Sequence, residues 1–264
     1  MSTMPRPAAT VALVRDRDGT LQVFLVKRSS RSPFMPSAHV FPGGRVDAAD
    51  GACPLLGGAP DRERMGETFG APAAAYQVAA VRETYEECGV LLAQGEGQDL
   101  LRTQLQGGQV SFASAAVTAG WVVNADRLTY FAWWITPEGE RRRYDTRFFI
   151  ACIEGGEEAG HDDYETVDSG WDTPQSWLER FDSGEVILAP PTWRSLWELS
   201  AFKTGQEAIQ AYSGQRVVPI EPRSVKHEDG FTVLLPGDVD YPSENPVQGP
   251  TRHTLRAGRW FIHR

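Results

Sequence analysis

The sequence predicts an α/β domain built around a mixed β-sheet. Strand-like runs rich in Val, Ile and aromatic residues alternate with segments of helical periodicity. Some strands are joined by hairpin signals and others by helices, which favours a mixed sheet. The chain has 264 residues, of which 41% are hydrophobic, enough for one large domain with additions.

The chain begins with two β-rich runs, residues 8–16 and 21–28, around Asp18-Gly19. An Asp-Gly pair between such runs is a strong hairpin signal. A loop and a short strand, "AHVF", then enter "PGGRVDAADG". Residues 51–72 are rich in Gly, Pro and charge without a sustained period, so we expect an inserted excursion outside the core.

Residues 73–92 have helical periodicity, with Gly89 well placed to end the helix. A short helix over residues 112–120 is capped by Ser111, and two buried strands follow in "LTYFAWWITP" and "DTRFFIACI". Further helices open at Thr173-Pro174 and at "PPTWRSLWEL". The predicted apolar stripe of the long helix consists of Val78, Val81, Tyr85 and Cys88.

After about Gln215 only short β-like pieces remain, among them "RVVPI", "FTVLL" and "RWFIHR". We therefore predict a domain over residues 1–214. Residues 215–264 are predicted to be a C-terminal extension that packs on the core or on a partner subunit, which would make a homodimer.

Charge and cysteine content restrict the function classes. The net charge of −9 argues against binding to nucleic acid or an anionic membrane. The three cysteines are scattered and form neither a disulfide framework nor a metal-ligand spacing, which favours a reducing cytoplasm. No signal peptide and no apolar run of membrane-spanning length is present in the sequence. We expect a soluble cytoplasmic protein.

The stretch "RETYEECGV" places Glu83, Glu86 and Glu87 at positions i, i+3 and i+4, on one face of a helix. Like charges at this spacing destabilise a helix, whereas Mg²⁺ or Mn²⁺ would convert the repulsion into ligation. The acids also lie at the end of the helix where the dipole disfavours them. The alternative interpretation is a solvated acidic face.

Two neighbouring features favour the metal site. Arg82 is placed to hold a carboxylate by a bidentate pair. Gly43 and Gly44 follow a strand, where backbone without a side chain allows close approach of a ligand or another segment. By itself the glycine pair indicates only a turn.

Together these residues resemble the Nudix hydrolases, whose signature is G-x5-E-x7-R-E-U-x-E-E-x-G-U with U apolar. The resemblance implies an α/β/α sandwich, a divalent metal and hydrolysis of a nucleoside-diphosphate-linked substrate. The polar Thr84 occupies the first U position. The second half of the signature matches at Arg82, Glu83, Glu86, Glu87, Gly89 and Val90.

The first half of the signature departs from this pattern. Counting from Gly44 reaches Asp50 instead of glutamate, and residues 51–81 then separate Asp50 from Arg82, where the signature has seven residues. Glu67 in "MGETFG" is the alternative upstream acid. A longer loop before the helix costs little extra closure entropy, so the insertion is physically tolerable.

The split box, with "FMPSAHVFPGGRVD", "YDTRFF" and "LAPPTW", looks like the Nudix subgroup similar to the peroxisomal acyl-coenzyme A diphosphatases. The resemblance implies cleavage of coenzyme A or acyl-coenzyme A to phosphopantetheine and adenosine 3′,5′-bisphosphate. An NADH or ADP-ribose diphosphatase and a non-catalytic nucleotide-binding module are the alternatives. The ending "FIHR" lacks a peroxisomal Ser-Lys-Leu address.

The resemblance assigns Glu83, Glu86 and Glu87 as metal ligands and catalytic groups, with Arg82 orienting a carboxylate. Gly43 and Gly44 are expected to shape the backbone of the substrate site. Glu165 is a candidate later carboxylate, serving as ligand or general base, with a solvated loop acid as its alternative. Arg28 and Arg142 are candidate substrate contacts, the latter within a run of arginines that is otherwise typical of a solvated loop.

Overall fold

A computed structural model of the chain describes residues 4–32, 35–66, 68, 70–153, 159–161 and 166–263. The helices are α1 (Ala59–Met65), α2 (Ala73–Cys88), α3 (Asp99–Gln106), α4 (Phe112–Ala119), α5 (Pro174–Ser183), α6 (Pro190–Leu199) and α7 (Gly205–Tyr212). The strands are β1 (Arg6–Arg17), β2 (Thr20–Arg28), β3 (His39–Val40), β4 (Gly43–Arg45), β5 (Leu55–Leu56), β6 (Ala93–Gln94), β7 (Val122–Asn124), β8 (Thr129–Ile135), β9 (Tyr144–Cys152), β10 (Thr166–Asp172), β11 (Pro219–Ile220), β12 (Arg223–His227), β13 (Gly230–Leu234), β14 (Arg252–Arg256) and β15 (Arg259–His263).

The main sheet has the strand order β10-β2-β1-β9-β8-β11, with β3 beside β2 and β4 beside β1. The central pair β1 and β9 is parallel, whereas β1–β2, β2–β10 and β8–β9 are antiparallel. The predicted mixed sheet is therefore confirmed. The predicted hairpin is also present, since Asp18 and Gly19 both have positive φ, of 53° and 73°, between β1 and β2.

Helices cover both faces of the sheet. Successive residues of β1 point to opposite faces, so Val11 and Leu13 pack in the cluster that contains α2. Ala12 and Val14 pack in a second cluster that includes side chains from α5, α6 and α7. This arrangement is the expected α/β/α sandwich, and it places α2 over the middle of the sheet.

The expectation that residues 51–72 stay outside the core is wrong for part of that segment. Strand β5 pairs with β7 in a small sheet, and Met65 is buried in the cluster that contains α2. Helix α1 is tied to β8, because Asp61 accepts the Tyr130 N–H at 2.7 Å and Arg64 donates to the Tyr130 carbonyl at 2.6 Å. Such isolated long-range contacts leave no periodic signal in the sequence.

The C-terminal strands β12–β15 form an antiparallel sheet in sequence order. Val233, Leu235 and Trp260 lie in the same buried cluster as Trp193 and Leu196 of α6. Strand β11 instead joins the edge of the main sheet, parallel to β8. The C-terminal residues thus cover the face opposite α2.

None of the helices in the described part of the chain is long and apolar enough to cross a membrane.

Candidate active site on helix α2

Helix α2 carries the acidic cluster. Its predicted stripe, Val78, Val81, Tyr85 and Cys88, is buried against the sheet and against α3 and α4. The helix ends at Cys88 rather than continuing to residue 92, because Gly89 takes the left-handed conformation with φ 77° and its N–H bonds the Tyr85 carbonyl. Glu83, Glu86 and Glu87 therefore lie in its last two turns.

Arg82 is the centre of a buried ionic cluster. Its Nε and Nη2 atoms donate to the two carboxylate oxygens of Asp50, at 3.0 and 3.1 Å. The Nη2 atom also donates to the carbonyl of Arg45 at 2.7 Å, next to Gly44. Asp50 and Arg82 are both buried. The bond to Arg45 joins strand β4, which carries the glycines, to α2, and the pair with Asp50 adds the segment that follows β4.

The remaining nitrogen of Arg82 forms ion pairs with two acids of α2. Its Nη1 atom lies 2.8 Å from Glu83 Oε1 and 3.4 Å from Glu86 Oε2. Burial by itself lowers the pKa of Arg82, but the charges of Glu83, Asp50 and Glu86 outweigh it and raise that pKa. The guanidinium therefore stays charged and fixes two of the three glutamates.

Burial and neighbouring acids both disfavour the charged form of Glu86. Burial raises the pKa of Glu86 to about 7, and the charges of Glu83 and Asp50 act in the same direction. The neighbouring Arg82 opposes this rise without cancelling it. Arg82 thus faces the three carboxylates of Asp50, Glu83 and Glu86, and a cation placed here would relieve their repulsion.

Close contacts leave no room for a side chain at either glycine: Gly43 lies against β1 and Gly44 lies against Glu83. The N–H of Gly43 donates to Glu87 Oε2 at 3.0 Å, and its φ of 154° brings it against the backbone of β1. A methyl group on Gly44 would overlap the carboxylate of Glu83. Strand β4 therefore lies directly on the acidic end of α2.

The donor set fits a hard divalent cation, because every candidate ligand is a carboxylate oxygen. Within the described ranges, no three acidic, histidine or cysteine side chains already converge on one cation position. Arg82 Nη1 lies between Glu83 and Glu86. Glu86 is the most exposed of the three glutamates, at 20%, so its side chain is the one with most freedom to turn toward a cation.

The other predicted site residues lie elsewhere or cannot be placed. Arg28 ends β2, where it pairs with Thr166. Arg142 is exposed in the β8–β9 connection, two residues before β9 begins. Its neighbour Arg143 is buried and binds Glu221 at 2.5 Å. Glu165 and Glu67 lie outside the described residues.

Asp50 and Glu67 are the two candidates for the upstream acid of the signature. The structure shows Asp50 bound to Arg82, and Glu67 lies outside the described residues. Sequence reasoning missed helix α3, whose Arg102 and Gln106 reach the last turn of α2. The spacing of Leu101 and Leu105 in "DLLRTQLQ" was a helical signal that identifies this segment.

Comparison with known proteins identifies the family of the chain. A sequence model of the NUDT19 Nudix domain matches residues 53–200, more than half of the chain. The chain is 31% identical to the acyl-coenzyme A diphosphatase NUDT19 of Gallus gallus over 288 residues, which cover 89% of this chain and 76% of that protein. For the human protein of the same name the identity is 28%, with coverages of 91% and 79%.

A solved structure has the same architecture. The Nudix hydrolase from Alicyclobacillus acidocaldarius superposes with a TM-score of 0.67 at 25% identity, over 79% of this chain and 96% of that one. With the signature acids gathered at the end of α2 beside Gly43 and Gly44, the chain belongs to the Nudix hydrolase family, in the group defined by the NUDT19 Nudix domain.

Proposed function

We propose that the protein is a metal-dependent diphosphatase that cleaves coenzyme A or acyl-coenzyme A to phosphopantetheine, or its acylated form, and adenosine 3′,5′-bisphosphate. The observation that carries the proposal is the set of buried contacts joining Asp50, Arg82 and the α2 glutamates to the glycine pair. The names of the chicken and human relatives support the choice of substrate.

Each group of the site has a role in this proposal. Glu83, Glu86 and Glu87 hold Mg²⁺ or Mn²⁺, which when bound neutralises diphosphate oxygens and acidifies a water. Arg82 orients Glu83 and Glu86, and Asp50 takes the place of the signature glutamate by holding Arg82. The Gly43 N–H fixes Glu87, and Gly44 leaves room for Glu83.

Glu165 is retained as a candidate general base or further ligand, since it follows a segment that reaches the site. The N–H of Gly160 in this segment donates to the Cys88 carbonyl at 3.1 Å. Arg28 and Arg142 are retained as candidate substrate contacts that only a bound substrate tests.

The alternative substrate class is a dinucleotide such as NADH, or ADP-ribose. Incubation of the enzyme with coenzyme A, an acyl-coenzyme A, NADH and ADP-ribose, each with Mg²⁺ and with Mn²⁺, followed by product chromatography, separates the two. We expect adenosine 3′,5′-bisphosphate from the coenzyme A compounds. Its absence, with AMP released from NADH or ADP-ribose, would overturn the proposed substrate.

A nucleotide-binding module without catalysis is the other alternative. Glu86→Gln and Glu87→Gln each remove one anionic ligand without changing side-chain size. We expect each variant to reduce kcat by about 100-fold or more while the melting temperature stays near that of the wild type. Unchanged metal-dependent turnover in both variants would remove these acids from the mechanism.

The compartment and the assembly state complete the proposal. The structure describes all three cysteines and shows no disulfide between them, which supports a reducing compartment such as the cytoplasm. A homodimer through the C-terminal extension is testable by light scattering of the full chain beside a chain that ends before Gln215.

A further inference from the structure

The last turn of an α-helix leaves four carbonyls without partners inside the helix. In α2 these belong to Tyr85, Glu86, Glu87 and Cys88. Two of them are served by backbone: Gly89 donates to Tyr85 at 2.9 Å and Gly160 to Cys88 at 3.1 Å. The two carbonyls of the candidate metal-binding glutamates are served by side chains of another helix.

Arg102 of α3 donates a hydrogen bond to each of these two carbonyls. Its Nε atom donates to the Glu86 carbonyl at 3.1 Å and its Nη2 atom to the Glu87 carbonyl at 3.0 Å. Gln106, one turn later, donates to the Glu86 carbonyl at 2.7 Å. The planar guanidinium thus spans two consecutive peptide groups, which a single ammonium group does not match in geometry.

Glycine at position 89 makes room for this arginine. A methyl group on Gly89 would lie 3.1 Å from Arg102 Nη1, and φ at this position is 77°. The signature glycine therefore serves both the left-handed end of the helix and the approach of the guanidinium.

Tyr85 of α2 fixes the position of the first residues of helix α3. The buried Tyr85 hydroxyl lies 2.8 Å from both the N–H and the carbonyl of Gln98, the residue that precedes α3. The Tyr85 ring also packs edge-to-face on Trp121, with ring centroids 5.2 Å apart. Arg102 follows Gln98 by one helical turn, so its position is set by a rigid aromatic contact.

The charge of Arg102 also suits its place. The carbonyl end of a helix carries about half a negative charge, and here three glutamates add to it. A cation hydrogen-bonded to the terminal carbonyls offsets this potential and holds the backbone of Glu86 and Glu87.

We propose that Arg102 is a positioning residue for metal binding: by bonding the Glu86 and Glu87 carbonyls it fixes the two backbone segments from which these ligands project. The inference rests on the proposed function, because it assumes that these glutamates hold the metal. Arg102 acts on the backbone of Glu86 and Glu87, whereas Arg82 acts on the carboxylates of Glu83 and Glu86.

The test compares Arg102→Met, Arg102→Lys and Gln106→Ala with the wild type and with Thr103→Ala as a control. Thr103 is exposed on the same helix and its hydroxyl bonds only the local Asp99 carbonyl. Three quantities are measured: Mn²⁺ affinity by electron paramagnetic resonance, kcat and KM with coenzyme A, and the melting temperature in EDTA.

We expect Arg102→Met to weaken Mn²⁺ binding and to lower kcat by about 10-fold each, with KM nearly unchanged. Arg102→Lys keeps the positive charge but not the two hydrogen-bonding nitrogens of the planar guanidinium. We expect it to recover less than half of the loss in Mn²⁺ affinity and in kcat, on a logarithmic scale. Gln106→Ala removes one of two bonds to the Glu86 carbonyl and should weaken Mn²⁺ binding by about 2- to 3-fold. Thr103→Ala should match the wild type.

Two results would overturn the inference. If Arg102→Met and Gln106→Ala lower only the melting temperature and leave Mn²⁺ affinity and kcat unchanged, Arg102 braces the fold and nothing more. If Arg102→Met binds Mn²⁺ more tightly, its effect is charge repulsion and not positioning. Gln106→Ala and Arg102→Lys keep the test informative if Arg102→Met does not fold.

The outcome is separable from that of the proposed function. If the wild type fails to cleave any of the diphosphate compounds, the proposed function is wrong, and Mn²⁺ affinity still reports on Arg102. If Glu86→Gln and Glu87→Gln abolish turnover while the α3 variants behave like the wild type, only the role of Arg102 is rejected.

Discussion

Arg82 and Asp50 form a buried bidentate ion pair across a long separation in sequence, with N···O distances of 3.0 and 3.1 Å. The pair brings the segment after the glycines onto the metal-binding helix. The same guanidinium contacts Glu83 and Glu86, so Arg82 links Asp50 to two of the candidate metal ligands.

Asp50→Asn should lower both stability and activity. Arg82 keeps Glu83 and Glu86 as partners but loses its buried bidentate acceptor, and we expect a loss of about 2 kcal/mol in the free energy of unfolding. Turnover should fall by about 10-fold, because Arg82 loses its orientation toward Glu83 and Glu86. Urea unfolding and steady-state kinetics measure the two effects.

Asp47→Asn is the matched control for this substitution. The Asp47 carboxylate is 3.9 Å from Arg82 Nη2, and its side chain is 60% exposed. We expect Asp47→Asn to change the free energy of unfolding by no more than about 0.5 kcal/mol. Equal losses in both variants would show that proximity to Arg82, rather than the buried bidentate pair, is what matters.

Gly44→Ala should impair activity more than stability. The added methyl group overlaps the Glu83 carboxylate, which must turn away and so lose its position beside Arg82. We expect turnover to fall by at least about 10-fold. Gly51→Ala is the control, since its methyl group would meet only the Pro72 ring at 3.7 Å. Wild-type activity in Gly44→Ala would contradict the close approach of β4 to α2.

The C-terminal sheet should contribute to the stability of the whole domain. Trp260 is buried in the cluster that contains α6, whereas its neighbour Phe261 is 45% exposed. Trp260→Ala should lower the free energy of unfolding by about 3 to 5 kcal/mol, and Phe261→Ala by about 0.5 kcal/mol or less. Urea unfolding measures both. Similar small losses in both variants would indicate that the extension is only loosely attached.

Stability should fall in acid between about pH 6.5 and pH 4, because two buried histidines resist protonation. Burial lowers the pKa of His39 and of His253 to about 4, from 6.5. In this window the unfolded chain binds protons that the native state does not, so the free energy of unfolding rises with pH. Each histidine contributes at most about 3 kcal/mol.

The pH dependence has its own control. His253→Gln removes one titrating group, so the difference in stability between pH 7 and pH 4.5 should shrink relative to the wild type. His253 packs edge-to-face on Trp193, so we expect the substitution to change stability at pH 7 as well, and the comparison is therefore made within each variant. An unchanged pH slope would contradict the assignment of the slope to His253.

Local patterns in the sequence were sufficient for the elements that carry the site. The Asp18-Gly19 hairpin, the mixed sheet and helix α2 are confirmed, and so is membership of the Nudix hydrolase family. The hairpin and helix α2 each follow from a signal within one short segment. The mixed sheet follows from the order of such segments, and the family follows from two motifs along the chain. The segment 51–72 was misjudged because β5, α1 and Met65 make isolated contacts with distant strands.

The spacing of Glu83, Glu86 and Glu87 is enough to place them on one helix face behind Arg82, because a helix fixes the direction of side chains three and four residues apart. That Asp50 reaches Arg82, and that Arg102 reaches the carbonyls of Glu86 and Glu87, is visible only in the folded chain. These contacts depend on how separate elements pack against each other, and a local periodicity in the sequence carries no information on that packing.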